Sequence, residues 1–392
     1  MQTFFITLFW TSVAIVGYTY LGYGLAIWLL SKIRKKNSLV FQPDDQLPEV
    51  TLVVAAYNEE SFIREKIQNS LELDYPPSRL HFLFVTDGST DRTPEIVKEY
   101  PSVALFHEPE RKGKIHAVNR IMQNVASPIT VFCDANTYLN KDAIRNLVRH
   151  YVDPKVGGVA GEKRIFKKEN DNASGAGEGL YWKYESFLKQ KDSEVYSVVG
   201  AAGELFSIRT ELYEPPPADM IIEDFYFSLR VAAKGYRFAY EPNAYATETA
   251  SASVEEEWKR KVRISAGGFQ AMGRLKYLLD PFRYGILSFQ YFSHRVLRWT
   301  LAPLSLLFIL VSNIYLAFSG SIIYQTLLVL QMLFYAVAIA GHILRNRSVG
   351  IKGFFVPYYF SVMNAAVYAG FIRFIQNKQS VVWDKAKRAR LE

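Results

Sequence analysis

Apolar positions fall into two regimes along the chain. In the first they are continuous: residues 4–30 and 300–343 carry no Asp, Glu, Lys or Arg, and a Ser-Gly-Ser break at 319–321 divides the second stretch in two. Each resulting run approaches the roughly 20 residues that cross a bilayer as a helix. A weaker run covers 354–372 and contains Asn364. In the second regime, from about residue 38 to 290, short apolar runs alternate with polar stretches.

In that polar middle the period of the pattern names the elements. "TLVVAAYN" (51–58) is a short β-branched run and predicts a strand; Phe62, Ile63, Ile67, Ser70 and Leu71 then recur at helical spacing. "LHFLFVTDGS" (80–89) predicts the next strand, and Thr93 with Pro94 predicts an N-cap and first residue of a helix. A strand near 103–106, a helix from Gly113 to about Val125 and a strand at 129–133 continue the series. Strands alternating with helices predict an α/β fold, a mostly parallel sheet covered by helices on both faces. "GAAGELFSIR" (200–209) reads either as backbone approaching a ligand closely or as a loop entering a strand.

Charge changes this picture at the edges. "SKIRKKN" follows the first apolar run with Lys32, Arg34, Lys35 and Lys36, and the positive-inside rule puts that cluster, and the polar middle behind it, in the cytoplasm. The first run lacks a basic start and a small-residue cleavage site, so it reads as a spanning helix and not a secretory leader. The domains expected are a transmembrane helix with basic flank over 1–36, a catalytic domain over 37–279, an aromatic and basic interfacial helix over 280–299, and membrane or interfacial helices with a basic tail over 300–392. With the amino terminus outside, both "RNRSVGIKG" and the basic tail are cytoplasmic only if 354–372 lies in the interface or re-enters. The net charge of +8 fits contact with membrane lipid, and without a basic stripe interleaved with aromatics nucleic acid is not expected as a partner. A single cysteine, Cys133, allows no intrachain disulfide.

Candidate chemistry sits where strands end. Ligands of such sheets bind beyond the carboxyl ends of the strands. There "YNEE", "DGS" and "DAN" deliver Glu59, Asp87 and Asp134 toward one edge. Crowded acids repel unless a cation or ligand donors intervene. A divalent ion held by an Asp and the oxygens of a diphosphate is one use of such a place, and hydrogen bonds from Asp87 to a base or ribose another. Lys112 and Lys114 in "RKGKIHAVN" are placed to neutralise phosphate, although no GxxxxGK[ST] loop is present.

"VVAAYNEE", "VTDGSTDRT", "RKGKIHAVN", "FCDAN" and "IIEDFYFSLRVAAKGYRFAYEPNA" together resemble, in order and spacing, the membrane-bound family 2 glycosyltransferases, which include hyaluronan, cellulose and poly-N-acetylglucosamine synthases and exopolysaccharide glycosyltransferases. The resemblance implies a GT-A fold that binds a nucleotide-sugar, usually a uridine diphosphate sugar, with Mg²⁺ or Mn²⁺. It makes Tyr57, Glu59 and Asp87 nucleotide contacts, Lys114 a phosphate contact, and Asp134 the metal-binding acid. Asn136 stands where the family's D-x-D has its second acid; an amide oxygen still ligates a hard cation, with less charge.

The resemblance also makes Asp224 of "IIEDF" the base that deprotonates the acceptor, with Glu223 orienting the acceptor or raising the pKa of Asp224. Gly203 and Glu204 are candidate acceptor or diphosphate contacts if "GAAGELFSIR" approaches a ligand and is not a plain loop entering a strand. On the helix begun by a Ser253–Glu256 capping box, Arg260, Arg263, Gly267 and Gln270 share a face about 80° wide. Arg260, Arg263 and Ile264 match the family's Q-x-x-R-W, so Arg263 is an expected diphosphate or acceptor contact, while the missing Trp weakens the case for processive synthesis. "RVLRW" (295–299) reads as interfacial anchoring.

The expectation is thus an inverting transferase that extends a polysaccharide or a lipid-linked glycan at the inner membrane face. Single-sugar transfer to a membrane lipid is the rival among enzymes. An inactive transferase serving as a scaffold or export subunit, with export or assembly partners, is the rival from another class.

Overall fold

The computed structural model describes residues 1–34, 41–166, 173–249, 254–344 and 352–378. Lys35, Lys36, Ser253 and most of the carboxyl-terminal basic tail lie outside these residues. The first apolar run forms α1 (Gln2–Gly17), which continues through a five-residue π-helical turn at Tyr18–Gly22 into α2 (Tyr23–Ile33). The result is one helical stretch of 32 residues.

The polar middle then alternates as its pattern predicts. β1 (Val50–Ala56), α3 (Ile63–Leu71), β2 (Leu80–Asp87), α4 (Thr93–Lys98), β3 (Val103–Glu108), α5 (Lys114–Met122) and β4 (Ile129–Asp134) follow in order. Thr93 opens α4 and does not cap it: its N–H and hydroxyl both bond Asp91, and its Oγ1 accepts the Glu59 N–H at 2.8 Å. A short β5 (Tyr138–Leu139), α6 (Ala143–Val148), β6 (Val156–Phe166), α7 (Ala173–Val195), β7 (Leu205–Arg209), α8 (Glu223–Ala233), β8 (Arg237–Thr249) and α9 (Val254–Arg274) complete the domain.

Among the described residues, the eight strands form one sheet in the order β3-β2-β1-β4-β7-β6-β8-β5. The first four are parallel; β7 runs antiparallel to both β4 and β6, β6 and β8 are parallel, and β5 is antiparallel to β8. Helices cover both faces, so β1 is apolar on both sides. Leu52 and Val54 pack with Ile63, Ile67, Ile144 and Leu147 in one core, and Val53 packs with Ala117, Ile121, Phe132 and Phe206 in the other. The reversal at β7 matters for function. Leu205 pairs with Cys133, so the start of β7 lies beside the end of β4, and Glu204 reaches the edge that holds Asp134.

The segment over 280–299 folds into α10 (Pro281–Tyr284), α11 (Ile286–Tyr291), a π-helical turn and α12 (Leu297–Trp299), then bends by 47° into α13 (Leu301–Ala317). Its "RVLRW" does not anchor in an interface. Arg295 and Arg298 are buried and both pair with Glu185 of α7, and Trp299 packs its ring against Gly268 and Phe225.

The chain ends in α14 (Ile322–Leu344) and α15 (Lys352–Ile375). Among the described residues two helices, Gln2–Ile33 and Ile322–Leu344, are long and apolar enough to cross a membrane, or three spans if the bent pair counts as one. The sequence pattern suggested three full runs and a weaker fourth. That fourth, α15, packs along α9 with no space to spare at Gly370: a Cβ there would meet Ser265 Cβ at 2.5 Å and Ala266 N at 2.9 Å.

Candidate active site

The ends of β1, β2 and β4, the start of β7, the amino ends of α5 and α8, and one side of α9 surround a cleft of about 680 Å³. Of the residues singled out from sequence, Tyr57, Glu59, Asp87, Lys114, Asp134, Asn136, Gly203, Glu204, Glu223, Asp224, Arg260 and Arg263 all line it. The loops are shaped by their own polar side chains. Asn58, at φ 52°, accepts the Thr90 N–H at 2.8 Å, tying the loop after β1 to the loop after β2. Asp87 accepts the N–H groups of Lys112 at 3.0 Å and Gly113 at 2.6 Å, which turns the 111–113 backbone toward the cleft. Gly113, at φ 100°, permits that turn where a side chain would be strained.

At the centre the Lys114 ammonium lies 2.8 Å from Asp134 Oδ1 and 3.0 Å from Glu223 Oε1. Burial opposes its charge, but the two carboxylates outweigh that and hold its pKa well above the ordinary lysine range. The Asp134 pKa is also raised, which for an acid favours the neutral form: burial raises it and the Glu204 and Glu223 charges add to this, against the pull of Lys114. Asp224 is pushed up to about 7 by burial and the Glu223 charge, with Lys114 opposing. Glu204 is held below the usual carboxylate range despite its burial, because Lys163 and Arg260 face it, and Lys163 bonds it directly. Gly203 borders the middle of the cleft: a Cβ there would lie 3.4 Å from Asp224 Oδ2 and 3.6 Å from Lys114 Nζ, in ordinary contact with both.

One wall is cationic. Arg260 and Arg263 project from α9; burial lowers the pKa of Arg263, and Glu223, Asp224 and Asp134 partly restore it. Gln270 stands apart from this wall although it was expected to share it. Its side chain accepts the Ile221 N–H at 3.2 Å and donates to Asp219 O at 2.9 Å, so it holds the loop that leads into α8. Gly267 packs under the same loop, against Ile221.

Three contributors escaped the sequence. The Arg111 guanidinium lies 3.7 Å over the Tyr57 ring at one end of the cleft. Arg373 reaches the cleft from α15, and Lys163, from β6, bonds Glu204. For Arg111 the quoted "RKGK" was a usable signal; the other two are brought in by distant segments of chain.

The Lys114 ammonium stands in a cation's place between Asp134 and Glu223. Among the described residues no three Asp, Glu, His or Cys side chains group into a metal site, so the protein supplies at most part of the coordination shell of a hard divalent cation. The upward push on Asp134 comes first from burial, with the Glu204 and Glu223 charges adding to it against Lys114. Its carboxylate and the Asn136 amide, both on the cleft wall, supply the oxygen ligands that Mg²⁺ or Mn²⁺ takes.

Comparison with known proteins agrees with this geometry. The sequence model described as glycosyl transferase family 2 matches residues 51–214. The poly-β-1,6-N-acetyl-D-glucosamine synthase of Staphylococcus aureus is 27% identical over 252 residues, covering 61% of this chain and 60% of that protein. The corresponding synthase of Staphylococcus epidermidis is 24% identical over 280 residues, covering 69% and 64%. The chain thus spans about three fifths of the length of these curated relatives. Among solved structures, the mannosyltransferase PcManGT of Pyrobaculum calidifontis, in complex with GDP-mannose and Mn²⁺, superposes with a TM-score of 0.69 at 24% identity, covering 95% of this chain and all of that one.

Proposed function

We propose that this chain, whose residues 51–214 match the family 2 glycosyl transferase model, is a transferase of that family and moves a sugar from a nucleoside diphosphate sugar to a growing polysaccharide or lipid-linked glycan. The transfer inverts the anomeric carbon and takes place at the cytoplasmic face of a membrane. The observation that carries the reading is Asp224, set beside Gly203 and facing the same cleft as Lys114 and Asp134, with its pKa lifted to about 7. A carboxylate tuned to that range suits proton abstraction near neutrality.

In this reading Tyr57, with Arg111 stacked on its ring, borders the nucleobase, and the Asp87 and Glu59 carboxylates hold the nucleoside. Asp87 has lone pairs left after binding the loop N–H groups. Lys114 and Arg263 meet the diphosphate. Asp134 and Asn136 hold Mg²⁺ or Mn²⁺, which when bound neutralises charge on the leaving diphosphate. The acceptor hydroxyl oxygen attacks the anomeric carbon while the bond from that carbon to the diphosphate oxygen breaks. The bonding pair leaves with the diphosphate, and the hydroxyl proton passes to Asp224. Arg263, fixed in place beforehand, stabilises the charge as it develops.

Lys32 and Arg34 at the end of α2 support a cytoplasmic catalytic domain. The Mn²⁺ and GDP-mannose of the solved mannosyltransferase support a divalent ion and a nucleotide-sugar, and the staphylococcal synthases support a polysaccharide product. The test supplies the full chain in lipid nanodiscs with labelled donors, UDP-N-acetylglucosamine and GDP-mannose among them. The expected result is release of nucleoside diphosphate from one donor, dependent on a divalent ion and lost in Asp224→Asn. Wild type indistinguishable from that variant on every donor would leave a scaffold without activity.

A further inference from the structure

The turn that carries Asp134 and Asn136 into the cleft is held from behind by a lysine. Lys66, on α3, is fully buried, and among the described residues it pairs with no carboxylate. Its Nζ donates to Thr137 O at 2.8 Å and to Cys133 Sγ at 2.9 Å, so one amino group ties the residue before the turn to a residue after it. An ammonium buried without a counter-charge is costly, and an apolar side chain in its place would avoid that cost. What its bonds hold therefore matters.

The bonds lead to Asp134. Thr137, also fully buried, donates its Oγ1 to Asp134 O at 2.9 Å and lies 3.1 Å from Cys133 Sγ. A chain of hydrogen bonds thus starts on α3, outside the residues that line the cleft, and ends on the backbone of an acid that lines it. The rest of α3 serves the next stretch of chain. Asn69 accepts the Leu139 N–H at 2.8 Å and donates to Leu139 O at 2.9 Å, and Glu65 accepts from the Tyr138 hydroxyl. Those bonds fix β5, whereas the Lys66 bonds fix the turn before it.

A carboxylate and an amide two residues apart meet one ion only if the backbone between them keeps a set bend. Where the protein supplies few of the ion's ligands, a bend fixed in advance spares the ion the work of ordering it.

We propose that Lys66, acting through Thr137, is a positioning residue for the divalent ion: it fixes the 133–137 turn in the shape in which the Asp134 carboxylate and the Asn136 amide face the same ion. The proposal rests on the assignment of those two residues to the ion under the transferase reading. Lys66 itself touches neither ion nor nucleotide, so its loss acts on the ion's contribution to binding and not on nucleotide contacts.

The test titrates UDP and GDP into the full chain in lipid nanodiscs by calorimetry, in Mn²⁺ and in chelator. The ratio of the two affinities measures what the ion contributes. Lys66→Met removes the amino group, Thr137→Val removes the hydroxyl at constant shape, and Thr137→Ser keeps it. Lys66→Met and Thr137→Val should each cut the ratio by about tenfold or more, the range for residues that orient metal ligands, with the affinity in chelator unchanged. Thr137→Ser should behave as wild type. Asn69→Ala, which loosens β5 alone, should lower Tm and keep the ratio. Should Lys66→Met fail to fold, the Thr137 pair decides. A wild-type ratio in Lys66→Met or Thr137→Val, or equal losses in Thr137→Ser or Asn69→Ala, overturns the positioning role; the metal assignment then stands if Asp134→Ala still abolishes the Mn²⁺ effect. A wild type on which Mn²⁺ has no effect with either nucleotide, or an Asp134→Ala variant that keeps the full effect, ends both.

Discussion

The Lys114 ammonium lies 2.8 Å from Asp134 Oδ1, closing the place where the strand-end acids meet. In the proposed reaction that contact would have to open: Lys114 would exchange a carboxylate for phosphate oxygens, and Asp134 would be released to help hold a divalent ion. Both are favoured if the incoming pair brings charges of both signs.

Asp134→Ala should therefore abolish metal-dependent binding of the nucleoside diphosphate, whereas Asn136→Asp, which adds a second acid, should tighten Mn²⁺ binding. Titration calorimetry with and without chelator measures both. Equal affinity for the nucleotide in all three proteins, with metal present, would reduce the "DAN" stretch to a strand end.

Asp224 carries two linked expectations. Asp224→Asn should lower turnover by roughly 10² to 10⁴, the usual range for loss of a general base, with donor affinity little changed. In the wild type the carboxylate, lifted to about 7 by burial and Glu223, is ionised only as pH rises, so kcat/KM should climb below that value and level off above it. Stability should run the opposite way. The folded pKa lies above the unfolded one, so the contribution is fully present below the unfolded value and is lost as pH rises through about 7. Asp224→Asn should consequently melt higher than wild type at pH 8 and equally at pH 4, which a pair of thermal scans will decide.

Arg263→Lys keeps a charge on the cationic wall but loses the bidentate fork. It should lower kcat with little change in donor KM, because the guanidinium acts most on charge that develops in the transition state. Arg274→Lys is the comparison: Arg274 ends the same helix, pairs with Asp219 and does not line the cleft. Steady-state kinetics showing equal losses at both positions would assign the arginines a general electrostatic role.

Gly370→Val tests whether α15 belongs to the site. The added side chain has no room against Ser265 and the α9 backbone, so α15 should shift and carry Arg373 out of the cleft. Turnover should fall by about tenfold or more, by analogy with misplaced positioning groups, and Arg373→Ala should reproduce part of that loss without lowering Tm. Full activity in both variants would separate the last helix from catalysis.

The strands and acids of the amino-terminal half were legible because each signal is local. A short apolar run that stops at Asp87 or Asp134 announces both a buried strand and its functional end within one stretch, and parallel pairing with β1 brings those ends together. The proposed base was named from the family resemblance of "IIEDF"; the local pattern shows only that Glu223 and Asp224 open a helix. Other assignments depended on partners far away in sequence. Gln270 shares the helical face of Arg263, and only the packing of α9 on the 219–222 loop turns it from the cleft to a backbone N–H. Arg295 and Arg298 have the composition of a membrane anchor, and the buried Glu185 carboxylate draws them inward. Periodicity tells which residues share a face; it does not tell what that face meets. The antiparallel insertion of β7, the close approach at Gly370 and the hold of Lys66 on Thr137 are all decided by that meeting, because burial, charge pairing and steric fit are properties of surfaces brought together by the tertiary fold.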